Sequence, residues 1–378
     1  MKNISIVLII ICSCLIYTYS FVCSQKKEFV YKKSSYIQKD FLNIKKQEHE
    51  LLKLAIDLTN YLPDNYVTDA SIDYTTFIQK GFDENKIVKM PNFQILINKK
   101  GLNLKSHSRI IFQKNSSLIM SPNSLANYSI LEINNVDDVI LYSPVIIGER
   151  NKHFGEKGEW GMGVNILSAK NIQIFNLKVS NCWGDGIYIG GGSYGSSENI
   201  KINNAVIDFC RRNGISITDG DSIEIVNTII SNTQGTLPMC GVDIEPNDNN
   251  AIINKILIKN LLTFNNSNSG ILIFLNQLQG NLKKKVDINI ENHRDYNSDI
   301  GFMLGGYDQQ NSIHQSFPGS INITNPQWIN NQISIKCGDN LSKGPKVIFK
   351  NIKIKNNKET PKEVKNKLIK TENVVVVE

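Results

Sequence analysis

One five-residue phrase, apolar-x-apolar-x-Asn, recurs through the middle of the chain: Ile172 to Asn176, Ile200 to Asn204, Ile223 to Asn227, Ile256 to Asn260, Ile321 to Asn325 and Val347 to Asn351. A further unit, Val286 to Ile290, reads as a copy that has replaced its Asn. After a variable turn most units lead to Gly followed by apolar-x-apolar, beginning at Gly163, Gly186, Gly214, Gly241, Gly270 and Gly301, with spacings of 23, 28, 27, 29 and 31 residues. Alternation with period two over so few residues describes short strands, and the absence of helical stretches between them excludes βαβ units. A hairpin sandwich also has short strands, but it does not put the same Gly and Asn at the same phase of every unit. The pattern predicts an all-β fold, a single-stranded parallel β-helix of about ten coils. Each coil supplies three short strands, stacks its apolar residues inward, and places Asn in ladders at the corners.

Weaker strands at Ile95 to Ile97, Ile110 to Gln113 and Val139 to Tyr142 extend the solenoid toward the N-terminus, so the β-helix is expected over residues 71–354. Residues 25–70 read as a helical linker or cap, with 37–60 and 71–82 as candidate helices plugging the open end, where apolar core and strand edges would otherwise meet water. Residues 355–378 read as a Lys-rich tail. Lys2 followed by the apolar run Ile4 to Leu15 reads as an export signal within residues 1–24; a membrane span needs about 20 apolar residues. Ile11-Cys12-Ser13-Cys14 has the shape of a lipobox with Cys14 as the lipidated residue, and Val22-Cys23-Ser24 offers an ordinary cleavage site. The expectation is a bacterial protein that is secreted, periplasmic or anchored at the surface by lipid, and the Lys/Asn/Ile-heavy composition fits an AT-rich genome. The formal charge of +7 is uneven: residues 51–342 hold 24 Lys and Arg against 27 acids. Basic ends on a slightly acidic body argue against a nucleic-acid partner.

From about 71 to 354 the sequence resembles the pectin lyase-like superfamily of right-handed β-helix proteins, which includes pectate lyases, polygalacturonases, uronan epimerases and phage tailspikes. Asp73-Tyr74-Thr75-Thr76-Phe77-Ile78-Gln79 resembles the D-x-T-x-x-I-Q opening common in that group. The resemblance implies a right-handed solenoid and a polysaccharide partner; a monomer is expected. Asn181-Cys182-Trp183-Gly184-Asp185-Gly186 distantly resembles a polygalacturonase motif, but the paired Asp, Gly-His-Gly and Arg-Ile-Lys of those enzymes do not follow, and the corresponding coil reads Arg211-Arg212-Asn213-Gly214. This argues against a polygalacturonase, and no Asp-Pro-His of an alginate epimerase is present. Fold by itself carries no mechanism.

Chemistry must then come from ladder positions. Residues one and three after each Gly are expected inside, and those two and four after it outside, stacked at the ~4.8 Å strand spacing. The outward column is Asn165, Tyr188, Ser216, Asp243, Leu272 and Met303, with Leu167, Gly190, Thr218, Glu245 and Phe274 beside it. Asp185, Arg211, Arg212, Asp219, Asp221, Asp243, Glu245 and Asp248 fall within two to three coils of one edge. Asp185, Asp243, Glu245, Arg211 and Arg212 are the candidate catalytic residues. Carboxylates one or two coils apart are separated by roughly 5 to 10 Å, the range that glycosidase acid–base pairs use. Alternatively, carboxylates beside Arg would hold Ca2+ and neutralise a uronate while a base removes a proton. Trp160, Trp183, Tyr188, Glu159, Asp219 and Asp221 are candidate substrate contacts, and the loop Arg150 to Gly163, with His153, is a candidate wall. Single Asp residues at such turns also bond backbone amides as Asx-turns, and His153 has no partner identifiable from sequence. Cys182 and Cys210 each lie four residues before their Gly; adjacent coils would allow a disulfide, with stacked buried thiols preferred. The expected function is an exported carbohydrate-active enzyme, a lyase, epimerase or glycoside hydrolase with acidic polysaccharides favoured. The alternative is a glycan-binding adhesin without catalysis.

Overall fold

The computed structural model describes residues 38–308, 318–356 and 358–377, with side chains from residue 43 onward. The expected signal and Cys14 lie outside the described residues. The unit that begins at Phe41 is a solenoid of three parallel sheets with twelve, eleven and nine strands. Each sheet takes every third strand of the chain, so one coil contributes a strand to each, and the middle sheet counts eleven coils.

Registers follow the repeat. Ile172, Ile200, Ile223, Ile256, Ile288, Ile321 and Val347 are successive partners along the twelve-stranded sheet, and all are buried. In the nine-stranded sheet Val164, Ile187, Ile215, Val242, Ile271 and Phe302 form a second interior column, as the phase of the glycines requires. Each aliphatic side chain removed from water contributes roughly 1.5–3 kcal/mol. The phased glycines are needed because coils approach closely there. A Cβ on Gly186, Gly214 or Gly241 would lie 2.5–2.8 Å from the carbonyl oxygen of the corresponding Gly one coil on.

The recurrent Asn follows seven strands of the twelve-stranded sheet, in the left-handed region. Asn176, Asn204, Asn227, Asn260, Asn292, Asn325 and Asn351 have φ between 53° and 59°, a conformation Asn tolerates better than other side-chain-bearing residues. Their amides form a ladder: Asn260 Nδ2 donates to Asn227 Oδ1 at 2.9 Å, and Asn292 Nδ2 donates to Asn260 Oδ1 at 2.9 Å. The unit thought to lack its Asn is corrected here. Ile288, two residues after Val286, pairs with Ile256, which makes the repeat Ile288 to Asn292 complete. A second left-handed corner follows the eleven-stranded sheet at Asn181, Phe209, Asn232, Asn265, Asn297 and Asn330. The next residue of each, Cys182, Cys210, Thr233, Asn266, Ser298 and Asn331, is buried. Cys182 and Cys210 are free thiols.

Three helices occur among the described residues: α1 (Gln38–Leu54), α2 (Thr75–Glu84) and α3 (Pro361–Ile369). Ile44, Leu51 and Leu52 of α1 pack on Ile111, Tyr142 and Phe175, which lie on the twelve-stranded sheet. The D-x-T opening starts α2: Asp73 Oδ1 accepts from the Thr75 amide at 2.9 Å and from the Thr75 hydroxyl, and Asp73 Oδ2 accepts from Asn98 Nδ2 at 2.6 Å. Two boundaries differ from expectation. Strands appear already at Ile56–Asp57 and Asp69–Asp73, within the stretch read as helical. The segment read as a tail holds α3, whose Thr360–Glu363 capping box fixes its start, and the strand Val374–Val377 paired with Lys346–Lys350. None of the helices is long and apolar enough to cross a membrane.

Asn260→Gly keeps the left-handed corner and loses the ladder, whereas Asn260→Ala loses both. A left-handed residue with a Cβ costs roughly 1–2 kcal/mol, so thermal melts should rank wild type above Gly above Ala. Equal melting of Ala and Gly variants would mean that backbone conformation is not what Asn provides.

Candidate active site

The polar residues of the nine-stranded sheet gather on three successive coils. Asp185 and Asn213 each stand directly before a phased Gly, and Ser216 and Asp243 are register partners on the outer face. Asp185 is fully buried. Its Oδ2 accepts from Arg212 Nη1 at 2.9 Å and from Ser216 Oγ at 2.8 Å, and its Oδ1 from the Asn213 amide at 3.0 Å. Asn213 Nδ2 donates to Asp243 Oδ2 at 2.9 Å, while Asp243 Oδ1 is buried without a partner. Each coil thus supplies one layer: a carboxylate, then an Arg-Asn-Ser layer, then a second carboxylate.

Trp160, Tyr188, Arg212, Thr218, Asp243, Glu245 and Asn247 line a cavity of about 260 Å³ over these layers. The Tyr188 hydroxyl accepts from Thr218 Oγ1 at 2.9 Å and from Asn247 Nδ2 at 3.4 Å. Trp160, 45% exposed, offers an open ring at the rim, and Glu159 Oε2 lies 3.7 Å from Arg212 Nε. Burial pushes the Asp243 carboxyl well up from the ordinary carboxylate range; the charge of Glu245 and then of Asp185 adds to this, against Arg212 and the Asn213 bond. Burial likewise raises Asp185, opposed by Arg212, and raises Glu245, also opposed by Arg212. Burial disfavours the Arg212 charge, but Asp185, then Asp243, Glu159 and Glu245, outweigh it and raise its pKa. A buried carboxyl with its pKa raised next to a second carboxyl is the kind of pair that general acid–base catalysis uses.

The other candidates lie elsewhere. Arg211, next to Arg212, turns away: its guanidinium carbon stands 3.7 Å from the Trp183 ring centroid and its Nη1 donates to Gly158 O at 3.0 Å. His153 stacks on Trp183 at 3.8 Å between centroids. Two planar groups so close to one indole occupy opposite faces, so Trp183 has no face left for a sugar. Asp219 Oδ1 accepts from the Ile252 amide at 2.8 Å. Asp221 bonds Ser222 and Asn254 and faces Lys255 at 3.3 Å, and Asp248 Oδ1 accepts from the Asn250 amide at 2.6 Å. These three acids do turn and ladder work, and none lines the cavity. Asp243, expected to face solvent, is 1% exposed and bonded to Asn213 of the preceding coil.

His153 has a partner after all: its Nδ1 lies 2.9 Å from Glu149 Oε1, which also accepts from Asn123 Nδ2 and the Tyr128 hydroxyl. This buried knot, with Arg211 on Gly158, ties down the loop that delivers Glu159 and Trp160. Asn213 and Asn247 escaped the sequence reading. Asn213 had a usable signal, the position before Gly that it shares with Asp185; Asn247 lies in an irregular segment with none. Among the described residues no group of three or more His, Cys, Asp or Glu is arranged to hold a metal ion, so the Ca2+ considered from sequence finds no such cluster.

No family model matches the chain. Two Bacillus subtilis proteins share sequence with part of it. The SPbeta prophage-derived protein YorA is 29% identical over 96 residues, 24% of this chain and 16% of its own length. YclG is 30% identical over 160 residues, 38% and 27%. The chain therefore matches about a sixth and about a quarter of the length of these relatives. Among solved structures, the tailspike of Escherichia coli bacteriophage HK620, in complex with a pentasaccharide, superposes with a TM-score of 0.59 at 10% identity, covering 87% of this chain and 60% of that one. Erwinia carotovora polygalacturonase gives 0.58 at 11%, covering 82% and 95%. The Streptococcus pneumoniae surface protein and adhesin PfbA gives 0.55 at 14%, covering 85% and 88%. The chain is a parallel β-helix of the right-handed kind these proteins share. At 10–14% identity the likeness is one of fold.

A buried carboxyl whose folded pKa exceeds its unfolded value destabilises the fold as pH rises from about 4, where the unfolded group begins to ionise, up to the folded pKa. Asp243→Asn removes that cost and retains an acceptor for Asn213. The variant should melt at about the wild-type temperature at pH 4 and above it at pH 7. A lower melting temperature at both would show that the Asp243 charge is structural.

Proposed function

We propose that the chain is a glycoside hydrolase that cleaves a polysaccharide laid across the nine-stranded sheet. The observation that carries this reading is the Asp243–Glu245 pair at the cavity, with the pKa of Asp243 raised by burial first and then by the charge of Glu245. The two residues are two apart on one extended segment, so they share a face with Cα atoms about 6.6 Å apart, and acid and base carboxyls on one face are what glycosidases place about a glycosidic bond. Asp243 gives its proton to the leaving oxygen as the bond from the anomeric carbon breaks, and Glu245 takes the proton of the attacking water. Arg212 and Asp185 fix the floor, and Trp160 offers a flat apolar face to a sugar ring.

The electrostatics favour a neutral sugar at the cleaved position. Arg212, the one cation among the described lining residues, is bound to Asp185, which leaves no free positive charge to neutralise a uronate as a lyase requires. The acidic polysaccharide favoured from sequence is therefore replaced, at this position, by an uncharged unit. Asp243→Asn and Glu245→Gln should each lower turnover by roughly 10²- to 10⁴-fold, read as new reducing ends from a polysaccharide panel. Wild-type activity should fall as pH rises through the Asp243 pKa. Ultraviolet-absorbing unsaturated product would overturn hydrolysis in favour of a lyase. Glycan binding with no turnover in any protein would favour the adhesin reading, which the fold of PfbA supports.

Export is proposed with it. The tailspike and adhesin folds and the prophage-derived relative support action on an extracellular glycan. Labelling cells with a fatty acid should mark the wild type and not Cys14→Ala if the lipobox is used. An unlabelled, unprocessed cytoplasmic product would contradict both export routes.

A further inference from the structure

Away from the acidic cavity, a second concavity of about 360 Å³ is lined by Lys255, Lys283, Lys284, Lys285, Asn254, Asp287 and Ile252. Four lysines line it with one carboxylate. Lys255 is paired with Asp221, and Lys284 Nζ donates to Asn250 O at 2.8 Å. Lys283 and Lys285 are exposed and have no hydrogen-bond or ion-pair partner among the described residues. Asp287, though present, accepts from Asn289 Nδ2 at 2.9 Å.

The lysines are presented by an anchored segment. Asn249 Nδ2 donates to Leu278 O and, at 3.2 Å, to Leu282 O, while its Oδ1 accepts from the Leu282 amide at 2.8 Å. Leu278 is buried. Like charges gathered in one hollow repel one another, and the body of the protein is otherwise slightly acidic, so the local excess has no structural reason in its surroundings. Asn249 also ties this hollow to the acidic one. Asn247 lines the acidic cavity and Ile252 this hollow, and the five Cα-to-Cα steps from one to the other can span at most about 18 Å.

We propose that this hollow binds an anionic substituent, a phosphate or sulfate ester, on a polysaccharide strand. Singly bonded oxyanions suit lysines, which act as point charges without demanding a planar fork. Nucleic acid, the other polymer of this charge, is disfavoured: the lining has no aromatic ring or Arg on which a base stacks. The inference does not depend on hydrolysis. It adds a charged recognition point beside a cavity that itself excludes anions, and so requires a polymer whose charges are not on every sugar.

Binding of fluorescein-labelled dextran sulfate to the full chain, measured by anisotropy at several salt concentrations, tests this. The Lys283→Gln/Lys284→Gln/Lys285→Gln variant should lose at least tenfold in affinity, and its log K against log salt slope should fall by about two to three. A Lys353→Gln/Lys355→Gln/Lys358→Gln variant, equal in charge change but distant in sequence, should lose less than twofold. Equal losses in the two variants, or wild-type affinity for unmodified dextran as high as for dextran sulfate, would overturn the site. Tighter binding of a single-stranded oligonucleotide than of dextran sulfate would overturn the polysaccharide assignment. Running the same titrations on Asp243→Asn separates this outcome from any failure of the hydrolase reading.

Discussion

A parallel coil can stack on its neighbour over many turns only if the chain bends at the same residue each time, because a slip of one position turns every side chain of the next strand to the wrong face. The left-handed asparagines enforce that bend. Asn204, Asn260, Asn292, Asn325 and Asn351 each donate a side-chain amide to the corner Asn of the preceding coil and so couple backbone conformation to register; Asn227 donates to Asn203 instead. The interior columns, the glycine contacts and the outward polar column all inherit their alignment from this corner. In five of the six coils whose second corner runs from Asn181 to Asn330, that corner repeats the device with another Asn.

The exception at that second corner lies in the coil that builds the site. Phe209 has φ of 55° where neighbouring coils use Asn, a conformation that is costly for a bulky side chain. Arg150 covers the Phe209 ring at 3.9 Å and donates to its carbonyl at 2.9 Å. The residues that follow directly, Cys210 to Asn213, carry both arginines into opposite directions. A corner held from outside by Arg150, rather than by a ladder, leaves this coil free to depart from the repeat just where Arg212 must reach Asp185.

The periodic part of this arrangement is legible in the sequence. Ile215 and Val242 could be placed inside and Ser216 and Asp243 outside from the glycines alone, because alternation and phase fix both. Asp185 and Asn213 share a phase as well. What could not be read is whatever depends on loops. Whether an outward carboxylate meets water is decided by the coil beside it, so the burial of Asp243 was invisible. So were the opposite courses of Arg211 and Arg212 and the Glu149 partner of His153, which depend on packing between segments of irregular length. The copy at Val286 was misread because Val286-Asp287-Ile288 imitates the repeat two residues early.

The layering of the site, one group per coil, limits how the length of this protein can change. A solenoid tolerates gain or loss of a whole turn, since each turn contacts only its neighbours. Between Gly184 and Glu245 that freedom is gone: an added turn would leave the fold intact while moving Asp185 about 4.8 Å farther from Asp243, beyond the reach of the Arg212–Asn213–Ser216 layer that joins them. Evolution can therefore lengthen the molecule toward either end, or enlarge the loops, but its three central turns must be inherited as a block.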